Sequence, residues 1–299
     1  MMPNRPLRTA PVLLLSCVLA LHPLQAQRER LVVRLDGFAG TALSAPAGTR
    51  VPADATQRGI FVSDAHRLLR DDGNTMILVG AQYRGMQVTL PSRLSDSPTN
   101  ATTLHVVTAD LWLLRTLNDR HTLITVLRPG VYGDLDDVGA QLRVEGAVFV
   151  DRILSPKATV GVGLSYASSF GRVLPIPVVH VVARPRRQIL VDALLPARAD
   201  VWWLPRKGLD IGFNAALSGA QYGLADANQV VPGSNALWLA NATAGPQVRW
   251  APIGGKVQFT ADAGLTVLRR LRYARNGDEL ADLDPGNVPY ARVGVQWLF

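Results

Sequence analysis

Histidine is the residue type in this sequence with the most varied chemistry, because it binds metals and exchanges protons near neutral pH. Beyond the N-terminal segment the histidines are His66, His105, His121 and His180. No two of them stand at the spacing of a metal site. Neither His105 nor His180 is followed two residues later by the serine that a lipase-type Asn/His/Ser arrangement would need. The sequence therefore predicts no catalytic residue, no metal site and no cofactor.

Charged residues at alternate positions of otherwise apolar stretches form a second set of candidates. Their signs are mixed, and in strands they would share one face, the predicted lumen face. This set comprises Arg84, Asp110, Arg143, Glu145, Asp210, Asp262 and Arg292, together with Arg34, Asp36, Asp192 and Arg249. Two interpretations stay open: a paired, hydrogen-bonded interior, or the lining of a pore that tunes ion selectivity. Mixed signs predict weak selectivity in the second case.

Strands must position these residues, because hydrophobicity beyond residue 30 alternates with a period of two. Leu142 and Val144 point one way, for example, whereas Arg143 and Glu145 point the other. Such stretches are about as long as the 9–11 residues that a tilted transmembrane strand needs. The face opposite the apolar one is expected to be polar, with almost no large aliphatic side chains. This pattern is typical of a membrane β-barrel, although a soluble β-sandwich would share the alternation.

The turns predict an antiparallel, all-β barrel of fourteen strands. Short and long connections alternate along the chain, as in outer-membrane barrels, whose strand number is even. Twelve strands remain the alternative if 31–69 forms an extension, and 59–69 could also form a short helix or a plug. The last strand is expected to close the barrel against 31–42 or 75–92. The predicted strands are 31–42, 59–69, 75–92, 103–116, 121–132, 141–153, 158–168, 174–184, 187–195, 198–204, 208–222, 236–250, 255–269 and 288–299.

Residues 1–26 are predicted to form a secretory signal peptide. Arg5 and Arg8 precede an apolar segment at about 10–21, and the small residue Ala26 stands before the predicted cleavage point, which is the usual layout of such a leader. Cys17 leaves a lipoprotein signal as an alternative. Because Cys17 is the only cysteine, residues 27–299 contain no disulfide framework. Those residues are treated as one barrel domain, since no linker or repeat divides them.

Composition argues against two classes of protein. The 299 residues are 48% hydrophobic with a mean hydropathy of +0.14. No apolar run long enough for a membrane-spanning helix follows the leader, so a helical membrane protein is not predicted. The formal net charge is +8. It comes almost entirely from arginines that are scattered and not clustered with aromatic residues, so we predict no nucleic-acid partner.

The stretch 161–224 contains a set of structural residues that suggests relatives. They are Phe170, Gly171, Pro175, Pro177, Leu194, Leu195, Pro196, Tyr222 and Leu224. With these residues the chain resembles uncharacterised bacterial outer-membrane β-barrel proteins classed as a domain of unknown function, over 79–299. That family has no established activity. The resemblance therefore implies a barrel and an outer-membrane location, and little else.

The last strand carries a more specific signature. Val293, Val295, Trp297 and Phe299 place apolar side chains at alternate positions up to a terminal aromatic residue. In this the chain resembles outer-membrane barrels, whose last strand is read by the barrel assembly machinery. We therefore expect outer-membrane lipid and that machinery as partners, and the oligomeric state stays open.

Aromatic residues near strand ends are expected to form girdles at the two membrane interfaces. The candidates are Trp202, Trp203, Trp250, Tyr290 and Trp297. Trp112 falls on the polar face of its strand and does not fit this role.

The sequence as a whole predicts an outer-membrane β-barrel of structural or passive small-solute pore type, without enzyme activity. Two alternatives stay open. One is a barrel enzyme that acts on outer-membrane lipid, and the other is a soluble periplasmic β-sandwich that binds a ligand.

Overall fold

The computed structural model describes residues 30–38, 43–44, 50–51, 56–71, 74–89, 101–136, 141–168, 170–225, 231–252, 256–283 and 286–298. The predicted signal peptide, residues 1–26, and the terminal Phe299 lie outside this part of the chain. The strands are β1 Arg30–Phe38, β2 Leu43–Ser44, β3 Arg50–Val51, β4 Thr56–Asp71, β5 Thr75–Thr89, β6 Ala101–Asn118, β7 His121–Gly133, β8 Leu142–Ser155, β9 Ala158–Ala167, β10 Leu174–Arg186, β11 Ile189–Leu195, β12 Arg198–Arg206, β13 Leu209–Gly223, β14 Ala236–Trp250, β15 Val257–Arg275, β16 Asp278–Leu283 and β17 Pro289–Leu298. The described residues include no helix that is both long and apolar enough to cross a membrane.

Antiparallel pairing joins β1, β4–β15 and β17 into a closed barrel, which confirms the predicted all-β class, whereas β2 and β3 form a separate two-stranded sheet. Each strand from β4 to β15 pairs with the next one along the chain. β17 pairs with β15 on one side and with β1 on the other, and β1 pairs with β4. The register of the closing pair runs from Arg30↔Leu298 to Phe38↔Tyr290. The last strand therefore pairs with the strand predicted at 31–42 and not with the one predicted at 75–92. Closure leaves the ring without the unpaired edges of an open sheet.

The two ends of the barrel differ in how their strands are connected. At the short-turn end, tight connections such as 119–120, 156–157 and 207–208 join neighbouring strands. The end of β17 also lies at this end, because the pairings Leu209↔Trp250, Trp250↔Phe259 and Val257↔Trp297 connect it to the 207–208 turn. The start of β1 lies beside it, since Arg30 pairs with Leu298. The long-loop end carries longer connections, among them the segment between β13 and β14.

Two predicted segments differ from their structure in informative ways. The segment 59–69, for which a helix or a plug was an alternative, lies within strand β4. The predicted strands 255–269 and 288–299 leave 270–287 as a long connecting loop, and that expectation is wrong. β15 continues to Arg275 and forms a hairpin with β16. Asn276 and Gly277 have φ of 51° and 96°, as a two-residue hairpin turn that favours Asn-Gly requires.

The outer face of the barrel is apolar, as the alternation predicted. On β17, Val293, Val295 and Trp297 are 53%, 38% and 52% exposed. The same outward alternation appears on β9, where Val162, Leu164 and Tyr166 are exposed. Other large apolar side chains on the outer face are Val107, Leu111, Leu127, Leu142, Val144, Val148, Val201, Trp203, Ile211, Phe213, Trp250, Phe259 and Leu265. Water-soluble monomers rarely expose apolar surface this continuously.

The inner face is more apolar than predicted. The expectation that it would almost lack large aliphatic side chains is wrong, above all at the long-loop end. There an inward-facing apolar core fills the space between β5–β7 and β13–β16. This outer-end core consists of Met86, Val88, Leu104, Val106, Tyr132, Ala220, Tyr222, Leu224, Leu237, Leu239, Leu271, Tyr273 and Leu283. Since these side chains pack against one another, they leave water and gain the stabilisation of an ordinary protein core.

Candidate functional site

A cavity of about 500 Å³ lies inside the barrel and is bounded by strands β5–β13. One part of its wall is apolar and contains Leu78, Trp112, Val126, Phe149 and Leu194. These side chains occupy inward positions because strand side chains alternate between the two faces. Trp112, which did not fit an aromatic girdle, is therefore part of the cavity wall.

The polar part of the cavity wall contains acid–base pairs. Arg128 Nε lies 2.6 Å from Asp110 Oδ1, and Gln82 donates a hydrogen bond to the same carboxylate. His180 Nδ1 lies 2.9 Å from both carboxylate oxygens of Asp151. Each of these contacts gives a charged or polar group a partner, as a site shielded from bulk water requires.

A longer polar network follows the wall from β11 to β17. Arg198 donates to Asp192 at 3.0 Å and to Asp200 at 2.8 Å. Asp200 also accepts hydrogen bonds from Asn214 and Gln247, at 2.8 and 2.7 Å. These contacts connect β11, β12, β13 and β14 on the inside of the barrel, so the network stiffens this half of the wall.

The network continues to the closing strand through Arg292. Its Nε lies 2.6 Å from Asp262 Oδ1, and its Nη2 lies 3.4 Å from Asn214 Oδ1. On β14, the guanidinium carbon of Arg249 lies 3.2 Å from the centroid of the Trp202 ring. A cation over an aromatic face is an attractive arrangement.

A bridge between β7 and β13 crosses the barrel at the long-loop end. Gly133 and Gly223 form a parallel backbone pair, which also closes a smaller ring of strands from β7 to β13. Asp134 accepts hydrogen bonds from the Ala225 backbone at 2.7 Å and from the Gln141 side chain at 2.6 Å. We call these five residues the β7–β13 bridge. It narrows the mouth of the barrel above the cavity.

The loop between β9 and β10 also folds inward at this end. Ser168 donates hydrogen bonds from its backbone nitrogen and its hydroxyl to Glu145, the former at 3.0 Å. The guanidinium carbon of Arg172 lies 4.6 Å from the centroid of the Trp238 ring on β14. The loop therefore reaches beyond β13, and it adds to the closure formed by the bridge and the outer-end core.

The structure distributes the predicted lumen residues over three places. Arg84 and Glu145 line the cavity, and Asp110 holds Arg128 at its wall. Asp262 and Arg292 pair with each other in the network near β17. Asp192 and Arg249 belong to the polar wall described above. Arg143 and Asp210 are half-buried and do not line the cavity. The side chains of Arg34 and Asp36 lie outside the part of the chain that the structure describes.

Sequence reasoning missed several residues of the cavity itself, among them Trp112, Phe149, His180 and Arg198. The signal that could have identified them was parity, the odd or even position along a strand that decides which face a side chain is on. Phe149 stands on the same face of β8 as Glu145 and Asp151, so the alternation already assigned it to the inside. The pairing of His180 with Asp151, 29 residues apart in sequence, depended on strand register that the sequence did not give.

The prediction of an aromatic girdle is wrong for two residues. Trp202 and Tyr290 are 2% and 3% exposed and face the inside. They occupy the opposite parity from Trp203 and Trp297, which are 51% and 52% exposed on the outer face. Proximity to a strand end was therefore a poorer guide than parity. Trp250, 50% exposed, also faces outward.

The described residues include no group of three or more His, Cys, Asp or Glu side chains arranged to hold a metal ion. Several acids and bases of the lumen instead pair with each other, as Asp110 does with Arg128 and Asp262 with Arg292. Of the expected assembly signal, Val293, Val295 and Trp297 lie on the outer face, and Phe299 lies outside the described residues. Their role in assembly stays a prediction.

The fold and its interior define a closed β-barrel with an internal cavity. Residues 67–281 match the family named "Domain of unknown function (DUF6268)", and the chain belongs to that family. A search of curated proteins gave no match.

Several solved structures are similar to this chain. The Pseudomonas putida toluene transporter TodX has 10% identity and a TM-score of 0.49, with 95% of this chain and 92% of that chain covered. The COG4313 outer membrane channel from Pseudomonas putida F1 has 12% identity and a TM-score of 0.47, with 91% and 95% covered. The Ralstonia pickettii toluene transporter TbuX has 12% identity and a TM-score of 0.45, with 92% and 90% covered. Sequence identity and structural similarity this low say nothing about any solute or ligand of this chain.

Proposed function

We propose that the protein is a bacterial outer-membrane β-barrel that lets small solutes pass by diffusion through a narrow lumen. The observation that carries this proposal is the cavity inside a closed ring whose outer face is apolar. A barrel of this kind buries its outer face in lipid and keeps its hydrogen-bonding groups inside.

We further propose that fourteen strands cross the membrane, namely β1, β4–β15 and β17. The ring of antiparallel pairings supports this number. Because the chain ends of the ring share the short-turn end, that end faces the periplasm and the long-loop end faces outward. Export through the predicted leader, residues 1–26, and insertion by the barrel assembly machinery belong to the same proposal.

The lumen supports a narrow, weakly selective path. Its charges have both signs and are largely paired with each other, as in Arg128–Asp110 and Arg292–Asp262. Selectivity for one sign of ion arises from a ring of like charges, and such a ring would conflict with these pairs. The β7–β13 bridge and the outer-end core keep the outer mouth closed for most of the time.

This geometry gives little support to the alternative of a lipid-modifying enzyme. The His180–Asp151 pair resembles part of a hydrolase site, but both side chains are buried inside the barrel at 4% and 0% exposure. Lipid would contact the opposite face of the wall. A soluble β-sandwich is disfavoured by the apolar outer face of the ring.

Two experiments test the proposal. The first is fractionation with heat-modifiable migration on a gel, which separates a folded outer-membrane barrel from a soluble protein. We expect an outer-membrane fraction and a band that shifts after boiling. Recovery from the periplasm without a shift would contradict the membrane location.

The second experiment measures solute passage in proteoliposomes that swell in arabinose, a small neutral sugar. The wild type should swell faster than protein-free liposomes. Ala147→Phe, which fills the cavity, should abolish the difference. The matched variant Ala215→Phe adds the same ring to an exposed position of β13 and should retain it. Equal swelling with both variants would refute a path through the cavity.

A further inference from the structure

The cavity contains an unusual amount of apolar surface for a solute path. Phe149 and Leu78 contribute to it, together with Trp112, which lies between two groups of inward apolar side chains. One group contains Leu78 and Leu114, and the other contains Phe149. A purely aqueous path gains nothing from such a wall, since every apolar side chain exposed to water costs free energy.

The charged groups that line the cavity already have partners, and Glu145 for instance accepts hydrogen bonds from Ser168. Arg128 pairs with Asp110, and Arg198 pairs with Asp192 and Asp200. A charged solute would have to leave bulk water and compete with these pairs for partners, which is costly in a narrow site. An uncharged solute meets no such cost.

We propose that the cavity is a binding site for one small, uncharged solute built around an aromatic or compact apolar ring, held against Trp112 and Phe149. The inference deepens the proposed function and rests on it, because it names the kind of solute that the lumen admits best. A cavity of about 500 Å³ lies within the roughly 300–1,000 Å³ of typical small-molecule sites. Apolar walls with a few polar groups are also the usual make-up of such sites.

The wall offers ring faces and edges at suitable positions. Phe149 and His180 already make an edge-to-face contact, with ring centroids 5.7 Å apart and an interplanar angle of 69°. Aromatic rings favour this geometry over direct stacking. Trp112 lines the same cavity and packs against the cluster that contains Phe149, so we expect a solute ring to contact both residues.

The test uses bromobenzene as the probe, because its bromine quenches tryptophan fluorescence on contact. Full-length protein in detergent should show a saturable quenching component above the linear component from partition into the micelle. Trp112→Phe should remove the saturable component. Trp203→Phe, which removes a tryptophan from the outer face, should leave it intact. The heat-modifiable band checks that each variant is folded.

Two further measurements fix the chemistry of the solute. 4-Bromobenzoate, which carries the same ring and a negative charge, should give no saturable quenching. Ala147→Phe should abolish the saturable component for bromobenzene, whereas Ala215→Phe should not. Saturable quenching that survives in Trp112→Phe, or equal saturable quenching by both probes, would overturn the inference.

The outcomes separate this inference from the proposed function. Arabinose passage without saturable bromobenzene quenching would refute the binding site and leave the channel standing. Saturable quenching without any passage would refute the channel and leave a barrel that binds a small apolar solute.

Discussion

Gly133 lies at the closest approach between β7 and β13, and its replacement by alanine is the sharpest perturbation of the β7–β13 bridge. A Cβ atom at this position would lie 2.2 Å from Gln141 Cδ and 2.5 Å from the carbonyl oxygen of Gly223. The Gln141 side chain can move, but the Gly223 oxygen belongs to the backbone. Gly133→Ala therefore forces the two strands apart.

The size of the effect follows from the cost of this overlap. Overpacking by one carbon atom typically costs about 1–3 kcal/mol. If the separated state relieves that cost, the ratio of open to closed bridge rises roughly 5- to 150-fold, since about 1.4 kcal/mol corresponds to a factor of ten. We expect a correspondingly higher open probability in planar-bilayer recordings, with the size of the current steps changed little.

A matched variant controls for overlap as such. In Gly245→Ala the added Cβ would lie 2.0 Å from the Ala263 carbonyl oxygen. This overlap lies between β14 and β15, away from the bridge. Gly245→Ala should therefore leave the open probability unchanged. If folded Gly133→Ala conducts no more often than the wild type, or if Gly245→Ala opens the channel equally, the bridge does not close the mouth.

Three other predictions concern different parts of the barrel. Asp282 on β16, outside the membrane-crossing strands, accepts two hydrogen bonds of 2.9 Å from Arg270, and these bonds lower the pKa of Asp282. Because the folded pKa is depressed, the stabilisation is present above the usual aspartate pKa, near 4, and is lost as pH falls through the folded value. The protection factors of the β16 amides, which are exchange rates corrected for the intrinsic pH dependence of amide exchange, should therefore fall in acid. Asp282→Asn should remove this fall, and an unchanged profile in the variant would count against the ion pair. Asp262→Asn leaves Arg292 without its charged partner inside the barrel, and we expect the free energy of unfolding to fall by roughly 1.5–3 kcal/mol. The fall is measured as a lower temperature for the gel-shift transition, and Arg292→Gln in the same chain should recover part of it. No change in the single variant would contradict the pairing. Deletion of Phe299 or Trp297→Ser should reduce the amount of the protein in the outer-membrane fraction. Trp203→Ser, at an equally exposed position on β12, should not reduce it. Equal amounts of all three variants would argue against an assembly signal in the last strand.

The sequence was a good guide to the strands and to the outer face. Alternation encodes that face directly, because in the proposed membrane barrel each outward residue must be compatible with lipid regardless of its neighbours. The positions of β8, β14 and β17 follow from it to within about three residues, a usual uncertainty for strand ends. The β15–β16 hairpin was missed although Asn276-Gly277 is a strong turn signal, since its charged strands resemble a loop in composition.

The inside of the barrel was harder to predict for a physical reason. Parity assigns a residue to the inner face but does not say whether that stretch faces water, a cavity or another wall. Leu104 and Leu271 became core residues because β7 meets β13 across the barrel, a contact between glycines 90 residues apart. Pairs such as His180 with Asp151 likewise need the register of neighbouring strands. Charges were recognised as inward, whereas their partners could not be assigned.

The most direct test of a solute path through this barrel is the single-channel current of the full-length wild-type protein in a planar bilayer. We expect brief, small current steps with little preference between cations and anions, because the lumen carries paired charges of both signs. The absence of current across a range of voltages, in the wild type and in folded Gly133→Ala alike, would contradict the account and identify a permanently closed barrel.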